Sequence, residues 1–202
     1  MKIAIMGGTF NPIHIGHLIS AEEVHDHFGF DIVIFVPASV PPHKSGPEII
    51  DPIHRYNMTA LAIEGNPHFQ ISKVELDREG PSYSVDTVRE FKRRYGERTE
   101  IAWIIGSDLL PTLTTWKDYE LFLRICKLIV TTRPGYEPKD VPKSILDRVI
   151  FFQITAVDIS SSEIRRRVRE GRSIKYLVPK KVEDYIYQHS LYGEREMSTT
   201  HD

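Results

Sequence analysis

The chain has one cysteine, Cys126, among 202 residues. That scarcity excludes an internal disulfide framework and any Cys-rich zinc module, and it suits a reducing compartment. Charge of one sign is also lacking: 26 Lys and Arg face 28 Asp and Glu, for a formal net charge of −2. A dedicated nucleic-acid-binding domain is usually strongly basic, so any polyanion bound here should be small. No apolar run approaches the roughly 18 residues of a membrane span, and the apolar stretch over Met1–Met6 is too short for a signal-peptide core. The chain therefore reads as cytoplasmic, with neither a membrane nor a nucleic-acid partner. Internal repeats, low-complexity tracts and composition shifts are absent too. With 41% hydrophobic and 27% charged residues, the remainder is the composition of an ordinary globular domain. One domain is expected over residues 1–192, followed by a polar, flexible tail at 193–202.

Short apolar runs rich in Ile, Val and Phe recur: KIAIMGG, DIVIFVPAS, EIAWIIGSD, KLIVTTRPG and VIFFQI. Runs of this kind suit strands covered on both faces. Helical patterns lie between them, at His17–Phe28, at Pro52–Glu64 with Asp51 as cap, at Asp86–Tyr95 and at Trp116–Arg124. Alternating strands and helices predict an α/β fold with a parallel sheet and right-handed crossovers, in which ligands bind at the carboxyl ends of the strands. The proline-rich segment 37–50 follows such a strand and is a candidate functional loop.

The first strand runs directly into Gly7-Gly8-Thr9-Phe10-Asn11-Pro12-Ile13-His14-Ile15-Gly16-His17 and then a helix. Neither a GxGxxG fingerprint nor a Walker A loop is present. Paired glycines let backbone approach a ligand, and His14 and His17 can point together at one anion held by the helix N–H groups. A tight turn with two incidental histidines is the plainer alternative. A zinc site is weaker, because no HExxH glutamate or other well-spaced ligand accompanies the pair. Near the other end, Ser160 and Glu163 form an S-x-x-E capping box, and Arg165, Arg169 and Arg172 fall on one helical stripe without evident partners. Such a stripe suits a di- or triphosphate, although a solvated charged face would look the same. Trp103 reads as core, Cys126 as an inert buried thiol, and His25, His27, His54, His68, His189 and His201 as surface histidines.

GGTFNPIHIGHL, with its HxGH signature, and ISSSEIR together resemble the paired motifs of the nucleotidyltransferase superfamily, and the fuller string resembles its bacterial nicotinate-nucleotide adenylyltransferase family. The similarity extends to PPHK at 41–44, Arg55, Met58, LDREGPSYSVDT at 76–87, IGSD at 105–108, Trp116, TRPG at 132–135 and VPKKVEDYIYQHSLY at 178–192. Departures are mild: ISSS, SYS and Asn11 stand where the family often has ISST, SYT and Asp, and each keeps a hydroxyl or an acceptor.

The resemblance implies a Rossmann-like, doubly wound parallel sheet with C-terminal helices, and AMP transfer from ATP to nicotinate mononucleotide, with Mg²⁺ arriving on the ATP. It assigns Gly7, Gly8, Thr9, Phe10, Gly106, Asp108, Ser161 and Ser162 to ATP. His14, His17, Lys44 and Arg165 fall to catalysis, and Tyr83, Ser84, Trp116 and Arg133 to the mononucleotide. A phosphopantetheine adenylyltransferase-like enzyme and a non-catalytic adenine-nucleotide sensor are the competing expectations. Oligomeric state stays open.

Overall fold

In a computed structural model describing residues 1–42, 46, 48–139 and 141–193, the apolar runs become one sheet. Its strands are β1 (Lys2–Gly8), β2 (Ile32–Pro37), β3 (Phe69–Ile71), β4 (Glu100–Gly106), β5 (Lys127–Thr132) and β6 (Val149–Gln153). All neighbours pair in parallel, in the order β3-β2-β1-β4-β5-β6. The order reverses between β1 and β4, which opens a crevice at their carboxyl ends. This is the Rossmann-like, doubly wound arrangement expected.

The crossovers and the C-terminal segment carry α1 (Ile15–Phe28), α2 (Pro52–Ile63), α3 (Ser84–Tyr95), α4 (Tyr119–Ile125), α5 (Lys143–Leu146), α6 (Ser161–Arg169) and α7 (Lys180–Gln188). Because side chains alternate along a strand, β1, β2, β4 and β5 feed two separate cores. Met6, Phe35 and Ile104 meet α1, α2, α6 and α7 on one face. Ile5, Val36, Trp103 and Val130 meet α3, α4 and α5 on the other. Trp103 is 3% exposed and Cys126 is buried, as their sequence context suggested.

Several local expectations are corrected. β3 is only three residues long and half-buried, too short to leave a periodic trace. The Trp116–Arg124 helix is displaced: Ser107–Thr115 forms a 3-10 helix, Trp116 lies in the break after it, and α4 starts at Tyr119. α1 begins at Ile15 with His14 at its N-cap position, and α3 begins at Ser84, so Ser84 is its first turn and not its cap. Asp51 does cap α2, accepting from the Ile53 N–H at 2.7 Å. Residues 194–202, like Lys44 and part of the 37–50 loop, lie outside the described residues. Of the histidines read as surface residues, His25 is half-buried, stacked on His68 with ring centroids 4.3 Å apart, and His54 is half-buried against the Tyr185 hydroxyl at 3.0 Å.

α2 also carries a charge into the interior. Arg55 is fully buried, and its guanidinium donates to four backbone carbonyls: Ile50 at 3.0 Å, Thr9 at 2.8 Å, Ala38 at 2.6 Å and Ser39 at 3.0 Å. The loops leaving β1 and β2 are thereby tied to one another and to the end of the 37–50 loop. Burial lowers its pKa, while Tyr192, Asp51 and Glu75 raise it. The group stays charged, as a guanidinium does in a protein. Arg55→Met should strand those carbonyls without donors, at a cost on the order of 3–5 kcal/mol. Urea unfolding checks this, and a loss below about 1 kcal/mol would contradict the assignment.

Candidate active site

The crevice at the β1 and β4 carboxyl ends is a single cavity of about 1490 Å³. Every residue that the resemblance assigned to the site lies on its wall except Lys44, which is not among the described residues, whereas Arg169 and Arg172 of the basic stripe do not line it. The floor is Gly7-Gly8-Thr9-Phe10 at the end of β1. Gly7 is required there by close approach: a Cβ would sit 2.2 Å from Trp103 Cζ2. Phe10 turns the chain with φ of +47°, a rare conformation for an aromatic residue. Its ring packs edge-on to His17 with centroids 5.2 Å apart.

His14 and His17 meet as expected, their ring centroids 3.7 Å apart. The His14 backbone N–H donates to His17 Nδ1 at 3.2 Å, which assigns the proton of a neutral His17 ring to Nε2. His14 is 8% exposed. Burial, with the nearby Arg133 charge adding to it, lowers its pKa to about 4, so it is neutral at pH 7. Among the described residues its buried Nδ1 has no hydrogen-bond partner, a state that folded proteins seldom leave outside functional sites. His14 is therefore a neutral hydrogen-bonding group, so the two rings are not a pair of cations.

α6 supplies the adjoining wall. The Ser160 hydroxyl accepts from the Glu163 N–H at 3.2 Å, while the Glu163 carboxylate bonds Arg166 and Arg167, so only half of the capping box forms. Ser161 donates its hydroxyl to the Pro12 carbonyl at 2.8 Å, stitching α6 to the turn after β1. Arg165 donates to the Asn11 carbonyl and to Glu48 Oε2, both at 2.9 Å, and more distantly to the Ser162 hydroxyl; its Nε is buried without a partner. The supposedly unpaired stripe is corrected: Glu48 also faces Arg169 at 3.7 Å, and Arg172 pairs with Glu170 at 3.3 Å. Glu48 comes from a distant loop, so no helical spacing could reveal it. Arg165 holds the Glu48 carboxyl below its usual pKa.

On the third side, Tyr83 occupies the N-cap position of α3 beneath Lys117 Nζ, which lies 4.6 Å from its ring centroid. Ser84 follows in the first turn. Trp116 is half-buried against Phe122, with ring centroids 5.7 Å apart. Asp108 is exposed, with its carboxylate folded over Gly106, where a Cβ would come within 2.5 Å of Oδ1. Arg133 leaves β5 exposed and pairs with Asp158 at 3.0 Å. Cys126 stands apart: its thiol is pushed up to about 12 by burial and donates to the Phe122 carbonyl.

The sequence reading assigned no role to Asn11, Glu75 or the β6 exit. Asn11 is buried, donating to the Glu48 carbonyl at 2.8 Å and accepting from the Tyr192 hydroxyl at 3.1 Å. Those partners are remote in sequence, so no local pattern marks it. Ile154, Thr155 and Val157 line the cavity from an irregular stretch after β6. Among the described residues, no group of three or more His, Cys, Asp or Glu is placed to hold a metal ion.

Residues 5–167 match the family described as cytidylyltransferase-like, which agrees with the HxGH turn and the sheet in defining a nucleotidyltransferase. The chain is 44% identical over 203 residues to a Thermoanaerobacter protein named "probable nicotinate-nucleotide adenylyltransferase", covering 97% of this chain and 96% of that one. A Thermus thermophilus protein of the same name is 42% identical, over 95% of this chain and 100% of that one. The Plasmodium falciparum nicotinic acid mononucleotide adenylyltransferase complexed with NaAD shares the fold, with a TM-score of 0.78 at 21% identity over 95% of this chain and 97% of that one. The chain belongs to the nicotinate-nucleotide adenylyltransferase family.

The His14 environment makes stability depend on pH. Its folded pKa of about 4 lies below the unfolded value of 6.5, so the unfolded state binds the proton more readily. The contribution is fully present above about pH 6.5 and is lost as pH falls toward about 4, roughly 3 kcal/mol in all. Urea unfolding between those limits should show a shallower pH slope for His14→Gln than for the unsubstituted protein. Identical slopes would refute the assignment.

Proposed function

We propose that the chain joins ATP and nicotinate mononucleotide, giving nicotinate adenine dinucleotide and pyrophosphate. The observation carrying this reading is the placement of the His14–His17 pair and the α6 N-terminus together in the lining of one cavity of about 1490 Å³, roomy enough for both substrates. An oxygen of the mononucleotide 5′-phosphate attacks the α-phosphorus. A new P–O bond forms as the bond to the β-phosphate oxygen breaks, and pyrophosphate leaves with the electron pair. No protein nucleophile takes part, so the protein's work is positioning and charge stabilisation.

In this scheme, Gly7, Gly8, Thr9 and Phe10 let the triphosphate lie close to the backbone. His14 and His17 bond the reacting phosphates as hydrogen-bond donors. N–H groups of the first α6 turn, at Ser161 and Ser162, serve the distal phosphates with Arg165. Lys44 adds a cation from the proline-rich loop. Gly106 and Asp108 take the adenosine, Asp108 accepting from the ribose hydroxyls. Trp116 stacks on the pyridine ring, with Tyr83 and Ser84 beside it and Arg133 on the mononucleotide phosphate. Mg²⁺ enters on the triphosphate as part of the substrate. The setting is cytoplasmic.

His17→Ala should lower the rate of pyrophosphate release by ~10²–10³ with the fold intact, the effect of losing one donor to developing charge. Wild-type-like release would sink the mechanism. Arg165→Ala should weaken ATP far more than AMP, because only ATP carries the distal phosphates. Equal losses for the two nucleotides by titration calorimetry would refute that role.

A further inference from the structure

Behind the mononucleotide side of the cavity lies a titratable group that the mechanism leaves unused. Glu75 is 4% exposed, yet lines the cavity. Its carboxylate accepts from the Thr87 hydroxyl at 2.7 Å, and Ser82 lines the cavity beside it. These two residues flank Tyr83-Ser84 in the chain. Ser82 Oγ in turn accepts the Ser39 N–H at 2.9 Å, the Ser82 N–H donates to the Val40 carbonyl at 3.0 Å, and Arg55 holds the Ser39 carbonyl at 3.0 Å. On the other side, the Thr87 and Asp86 N–H groups close on the Tyr83 carbonyl at 3.2 and 3.1 Å, and Arg78 donates to Thr87 Oγ1 at 3.1 Å.

We propose that Glu75 is a positioning residue for the acceptor: by holding the Thr87 hydroxyl, it fixes the Tyr83-Ser84 backbone at the start of α3 against which the mononucleotide binds. The proposal rests on the reading that Tyr83, Ser84 and Trp116 form the acceptor half of the site.

The residue type is informative. A carboxylate oxygen can accept the Thr87 hydroxyl proton. That leaves Thr87 Oγ1 able to accept from Arg78. A glutamine that turned its NH₂ toward Thr87 Oγ1 would force that hydroxyl to rotate away. Burial raises the Glu75 pKa, and the Thr87 and Ser82 hydroxyls, Arg78 and Arg55 oppose that push. A carboxylate serving only to fill the core would be replaced without loss by an apolar side chain. Here its bond ends on Thr87, whose own N–H holds the carbonyl of Tyr83 in the substrate-facing turn.

The test compares the unsubstituted protein with Glu75→Gln, Thr87→Val, their combination and Trp116→Ala. Steady-state constants for both substrates, calorimetric titration with nicotinate mononucleotide and thermal unfolding are measured. Glu75→Gln should raise KM for nicotinate mononucleotide about tenfold, or ~1.4 kcal/mol, while KM for ATP stays within about twofold. Thr87→Val should shift the same constant, and the combination should do no more than Glu75→Gln alone, because both break one network. Parallel rises in both KM values, or no acceptor shift in a folded Glu75→Gln, would overturn the proposal. Should Glu75→Gln fail to fold, a Thr87→Val protein with unchanged acceptor affinity would overturn it equally. Trp116→Ala separates the two levels. If it raises the acceptor KM while Glu75→Gln does not, only the Glu75 proposal fails. If it leaves that constant unchanged, the assignment of the acceptor half fails with it.

Discussion

The site depends on a guanidinium that no substrate need touch. A parallel sheet brings the exits of β1 and β2 side by side, but the loops that follow carry backbone carbonyls with no strand partner. Arg55 satisfies four of them from inside the protein. Its planar fork of donors suits that task as a lysine ammonium would not. The turn bearing the paired histidines and the loop facing the start of α3 are therefore positioned by one rigid group.

On that frame, the chemistry follows from burial more than from formal charge. His14 is neutral because the turn closes over it, and His17 has its Nδ1 engaged by the backbone of His14. Cations are kept to the rim, where Arg165 sits in α6 and Arg133 at the end of β5. Each faces an acidic residue, Glu48 or Asp158.

Much of this was legible in the chain. Fully apolar runs ending in glycine or small polar residues marked five of the six strands, and the segments following them supplied nearly every residue on the cavity wall. What escaped notice had physical causes. β3 is too short to show a period. The 3-10 helix over Ser107–Thr115 contains Pro111 and imitates a loop. Glu48, Asn11 and Glu75 act through partners far along the chain, which no local pattern encodes. Arg55 was visible as a point of likeness, but its burial and its four carbonyls are properties of the assembled fold.

The contact between Gly7 and Trp103 carries a consequence for sequence drift. β1 and β4 are adjacent, and the indole fills the space a side chain at position 7 would need. One wall of the cavity is thus also a wall of the core. A larger residue at 7 is tolerable only alongside a smaller one at 103, so across relatives the two positions should change together or not at all.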